Sequence, residues 1–94
     1  MSARDHLERI HELPCIVCVE MGLPSGGSVH AHHLENVRDG SSDYSAVPLC
    51  AEHHQGSNGV HGLSRSGFVA RYKLTDIDLL ALTIKALEKA GKLR

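Results

Sequence analysis

Apolar positions in this chain recur at two periods, and the breaks between them outline its elements. The clearest stretch is C-terminal. Ile77, Leu80, Ile84 and Leu87 recur at helical spacing, and Leu79, Ala81, Leu82 and Ala86 widen the stripe. Thr75 with Asp78 makes a capping box at its start and Gly91 supplies the stop, which predicts a helix over about 75–90. This face reads as core, and its width leaves a homodimer contact as the alternative use. A first helix is predicted from Ser2, with Asp5 as the capping acid, through Ala3, Leu7 and Ile10 to a stop at Pro14. Short strands are predicted over 28–34 and 46–49, the second placed at an edge or bend by Pro48. The segment 15–18 reads as a tight knuckle, 21–28 as a Gly/Pro loop and 36–45 as a polar, turn-rich connection. Residues 50–55 begin a helix that Gly56 and Gly59 stop, and 67–73 give a turn or two more. The expected fold class is α+β, with helices flanking a small central motif.

Size sharpens this picture. The chain has 94 residues, read as one domain over 1–94, with no Trp, one Phe and two Tyr. So small a core usually needs a staple, whether a disulfide, a metal or a second chain. Three cysteines, an odd count, argue against a closed disulfide set. The first residues are charged rather than leader-like, and the apolar run 79–82 is far too short to cross a bilayer. The expectation is a cytoplasmic protein with reduced, metal-binding thiols and no membrane contact. A net charge of −1 argues against a broad basic face. That count omits bound cations, so it leaves room for a locally positive site.

The cysteines fall into a pattern. Cys15 and Cys18 are spaced x2, and Cys50 and His53 repeat the spacing. Paired ligands close small chelate rings, and two such pairs around a strand pair predict a tetrahedral Cys3His zinc site with a treble-clef layout. A thioredoxin-like role for Cys15 and Cys18 would want the pair after a strand, whereas here it follows a helix.

Histidine is over-represented, with eight in the chain and five of them between His32 and His61. Neighbours on a helix point ~100° apart. If His53 faces the zinc, His54 faces elsewhere, toward the strands that carry His32 and His33. His61 follows in a Gly-rich loop and could swing back to the same cavity. His30 shares a strand face with His32 and reads as either a group behind the site or an exposed edge residue. His6 and His11, on the first helix, read as solvated. Neutral imidazoles and a divalent ion are what phosphodiester hydrolysis needs: a base for water and an electrophile for the phosphate.

In order and rough spacing, Cys15-Ile-Val-Cys18, Ala31-His32-His33-Leu34 and Leu49-Cys50-Ala51-Glu52-His53-His54 resemble the HNH (ββα-metal) endonuclease family. The layout is most similar to the phage recombination-enhancement (Ref-like), RecA-dependent nucleases of phages and prophages, with the core motif over about 15–61. The resemblance implies a DNA endonuclease in which His33 is the general base. His32 and His54, with His61 as third ligand, would hold a catalytic Mg2+, Mn2+ or another divalent ion. Cys15, Cys18, Cys50 and His53 match the structural zinc set. A RecA-type recombinase filament is the implied partner. Ser45 stands where the family has an orienting Asn, with Asn36 and Asp43 as alternatives in the same loop. Arg65, Arg71 and Lys73, with Arg38, are candidate phosphate contacts. The competing class is a zinc-finger module that binds nucleic acid or protein without catalysis, and a second histidine set argues against it. RNA as the substrate stays open, because attack by water needs no 2′-hydroxyl.

Overall fold

The computed structural model describes residues 2–24, 27–34 and 42–92; Asn36 and Arg38 lie outside them. Over these residues the chain is a small mixed α+β structure with a two-stranded sheet and five helices. The helices are α1 (Ala3–His11), α2 (Ile16–Met21), α3 (Ala51–His54), α4 (Val60–Tyr72) and α5 (Asp76–Lys89). The strands, β1 (Val29–His33) and β2 (Ala46–Cys50), pair antiparallel with His33 opposite Ala46 and Val29 opposite Cys50.

Both terminal helices start as their sequences predict. Ser2 and Asp5 form a reciprocal capping box, as do Thr75 and Asp78, each pair satisfying two backbone donors that a helix start leaves open. Three readings need correction. The segment 15–18 is not a free-standing knuckle: Cys15 is the N-cap of α2 and Cys18 lies inside its first turn, after Pro14 ends the preceding segment. The predicted turn at 67–73 is the end of the longer helix α4, which starts at Val60 and bends at Ser64 (φ 66°, ψ 167°). The stripe on α5 is rotated. Leu79, Thr83 and Leu87 face the core, while Ile77 is 80% and Ile84 48% exposed. Thr83 can be buried because its hydroxyl donates to the Leu79 carbonyl one turn back, at 2.8 Å.

β2 is the buried strand, with Ala46, Val47, Pro48 and Leu49 all inside. Val47 and Leu49 join Ile16, Val17, Phe68 and Leu79 in the larger core, in which Cys15 and Cys18 are themselves packed. Ile10, Leu13 and Leu87 form a second, smaller core beneath Ala31. β1 is only partly covered past Val29 and carries its histidines at the rim. His6 departs from the solvated reading: it is buried, its ring 4.9 Å from that of Tyr44, and burial, then the neighbouring Arg9, push it below its ordinary value. His11 donates from Nδ1 to the Val29 carbonyl at 3.0 Å and ties α1 to the start of β1. No helix among the described residues is long and apolar enough to cross a membrane.

Candidate metal and active centres

The two x2 pairs occupy matching positions. Cys15 caps α2 and Cys18 follows one turn later; Cys50 caps α3 and His53 follows one turn later. Residues three apart on a helix share a face, so each pair points its donors the same way. Packing α2 against the end of β2 makes the two faces meet. His53 Nδ1 lies 3.2 Å from Cys50 Sγ, 3.4 Å from Cys18 Sγ and 3.6 Å from Cys15 Sγ. The four donor atoms all fall within 4.8 Å of one another and could hold a zinc ion. The donor chemistry fits such an ion. Burial, then the neighbouring Cys15, push the Cys18 thiol up to about 12, so without a cation that thiol keeps its proton. A divalent cation reverses that balance by stabilising thiolates.

One residue beyond His53, the chain turns His54 the other way, into a cleft of about 620 Å³ whose walls include His32, His33, His61 and Arg65. His32, His54 and His61 also bring their ring nitrogens within 4.8 Å of one another. His61 arrives there from the first turn of α4 rather than from a loop. The connection between α3 and α4 makes this placement, and two glycines permit it. A Cβ on Gly59 would stand 2.6 Å from the Glu52 carbonyl oxygen, and one on Gly62 would overlap the Gly56 carbonyl. Asn58 donates from its side chain to Glu52 at 2.8 Å, and Tyr72 donates its hydroxyl to the Asn58 carbonyl at 2.8 Å. The seven-residue step from His54 is thereby folded so that His61 Nε2 lies 3.2 Å from His54 Nε2.

His33 stands beside this trio and is held separately. The register puts it opposite Ala46, and the 3-10 turn Asp43–Ser45 leads directly into that residue. Asp43 Oδ1 accepts a hydrogen bond from His33 Nε2 at 2.8 Å. Ser45 is occupied within its own turn, donating its hydroxyl to the Ser42 carbonyl at 2.6 Å. The group bonded to His33 is therefore Asp43, the loop alternative, and not Ser45. The signal available in the sequence was the short step from Asp43 to β2, which any hairpin-like register brings back over the end of β1.

The basic candidates separate. Arg65 lines the cleft, donates to the Leu34 carbonyl at 2.9 Å and pairs with Asp76 at 3.1 Å. Arg71 lies with its guanidinium 5.7 Å from the Tyr72 ring centroid, and Lys73 caps α4 in the left-handed region. Neither of these two lines the cleft. His30, left open between two readings, sits behind the trio with Nδ1 2.8 Å from His54 Nδ1.

Burial, then the nearby His54, depress His32 to about 4, and burial lowers His54 as well. Both imidazoles thus stay neutral near pH 7, the form that ligates metal. The shift also has a sign for stability. Below the ordinary value near 6.5 the unfolded chain gains a proton at His32 that the folded chain refuses until about 4. Stability should therefore fall as pH drops through that window. Denaturant melts of zinc-loaded protein at pH 7 and pH 5, without a second ion, should show a smaller loss for His32→Asn than for wild type. An equal loss would show that the folded chain accepts that proton freely.

A two-stranded α+β structure carrying two separate clusters of metal-ligating side chains is the class defined by this geometry. The sequence model of the family described as recombination enhancement, RecA-dependent nuclease matches residues 1–76, and the chain belongs to that family. The matched region contains both clusters and His33, and ends where α5 begins. No curated protein and no solved structure matches significantly.

Proposed function

We propose that this chain is a metal-dependent DNA endonuclease of the HNH (ββα-metal) type, acting in the cytoplasm of a bacterial or phage-infected cell in concert with a RecA filament. The observation that carries the reading is the position of His33, tethered by Asp43, on the wall of the cleft that also holds His32, His54 and His61. Family membership supports the nuclease activity and the RecA and DNA context.

In this reading Cys15, Cys18, Cys50 and His53 hold a structural zinc in a treble-clef arrangement that joins α2 to the β2–α3 junction. His32, His54 and His61 would hold Mg2+, Mn2+ or another divalent ion, which would supply charge relief to the phosphate and the leaving oxygen. With Nε2–H donated to Asp43, His33 presents a bare Nδ1. That nitrogen takes the proton of the attacking water as its oxygen bonds to phosphorus and the P–O bond of the leaving oxygen breaks. The Asp43 carboxylate fixes the tautomer and steadies the imidazolium that forms. Arg65, on the cleft wall, would contact a phosphate oxygen, whereas Arg71 and Lys73 would reach only DNA that extends beyond the cleft.

The test is supercoiled plasmid incubated with zinc-loaded protein, with and without Mg2+ or Mn2+, and with and without a RecA-coated homologous single strand. Cleavage is expected only with the added ion and to depend on the filament. Intact plasmid in every combination, with folded protein, would remove the enzyme and leave a zinc-bearing binding module.

A further inference from the structure

His54 is engaged at both ring nitrogens. Its Nε2 lies 3.2 Å from His61 Nε2, on the side where the three-histidine cluster gathers. Its Nδ1, the other nitrogen of the same ring, lies 2.8 Å from His30 Nδ1. An imidazole that gives one nitrogen to an ion carries its proton on the other, and that N–H needs an acceptor. His30 is built to be one. It shares a face of β1 with His32, two residues on, and its ring meets His54 edge-on with centroids 5.0 Å apart. We infer that His30 is a positioning residue: it accepts the Nδ1–H of His54 and thereby aims His54 Nε2 at the ion.

The geometry also separates His30 from the ligand set. His30 faces His54 Nδ1 and His61 faces His54 Nε2, and the two nitrogens of one imidazole direct their lone pairs apart, so an ion held at Nε2 leaves Nδ1 to His30. His30 is half-buried on a strand that the sheet register fixes, whereas His54 sits in the last turn of a four-residue helix. The strand therefore lends its order to a ligand whose own element is short. The inference rests on the proposed metal-binding role of His32, His54 and His61.

The experiment titrates Co2+ into zinc-loaded protein and follows its visible d–d bands, with sulfur-to-metal charge transfer reporting any invasion of the cysteine site. In His30→Leu, which fills the space but cannot accept a hydrogen bond, affinity at the histidine site should fall ~10–100-fold, the usual worth of an orienting group behind a ligand. Zinc content and the thermal transition should match wild type. His30→Asn places an amide oxygen near the lost Nδ1 and should recover most of the affinity, a rescue that a mere packing role would not give. Wild-type affinity in His30→Leu, or equal losses in both variants, would overturn the positioning role. Failure of the wild-type protein to bind Co2+ at the histidines would instead overturn the metal site itself, and this inference with it.

Discussion

Cys50→Ser should leave a protein that neither retains zinc nor melts cooperatively. Cys50 Sγ is 3.2 Å from His53 Nδ1 and 3.8 Å from Cys18 Sγ, so its loss opens the cluster at the junction of its two halves. The consequence extends well beyond one contact. Cys15 and Cys18 belong to the main core, and α2 is short, with six residues and no side-chain cap. An isolated helix of that length is unstable in water, so its position depends on what holds its first turn. The magnitudes favour a large effect. A structural zinc supplies on the order of 10–16 kcal/mol in small zinc domains, whereas whole domains are stable by about 5–15 kcal/mol. Losing even part of the metal term therefore exceeds the margin. The measurements are zinc per chain, expected near one in wild type after a second ion is excluded, and the circular-dichroism melt of each protein. A zinc-free Cys50→Ser protein with a wild-type cooperative melt would show that the apolar core suffices and that the cluster is not a staple.

The parts of this structure legible in the sequence are those set by local rules. Ser2 with Asp5 and Thr75 with Asp78 announce helix starts through chemistry confined to four residues, and both form as expected. The two ligand pairs are similarly local, because a separation of three places both donors on one helical face. What was hidden depends on tertiary packing. The α5 stripe identified the helix but gave the wrong centre for its buried face. Thr83 satisfies its hydroxyl internally and so can replace an apolar residue, while Ile77 projects beyond the body. His6 looked like a solvated helix residue because nothing nearby in sequence covers it; Tyr44, far along the chain, does. The partner of His33 shows the same limit. Ser45 holds the matching position in the sequence, but the hydrogen bond goes to Asp43, whose carboxylate reaches His33 once the hairpin register is set.

His33→Ala should abolish most DNA cleavage while leaving both metal sites filled. The imidazole contributes no donor to either metal cluster, and its bond to Asp43 is a local one at the rim of the sheet. Removing it therefore takes away the proposed proton acceptor and no member of either cluster. A positioned general base is worth roughly 10²–10⁴-fold, and the loss should appear in the rate at saturating metal. His32→Ala and His54→Ala should behave differently. Each removes a nitrogen of the cluster, so their defects should begin as weaker metal binding and shrink as Mg2+ or Mn2+ is raised. Asp43 adds a further discrimination. Asp43→Ala keeps the imidazole but frees its tautomer and orientation, so its loss should be smaller than that of His33→Ala and should add little when the two are combined. Residues that act as one unit are non-additive in this way. The decisive comparison is single-turnover cleavage by wild type, His33→Ala, Asp43→Ala and the double variant at matched, saturating metal. Equal rates for wild type and folded His33→Ala would remove His33 from the chemistry, and fully additive losses would separate Asp43 from it.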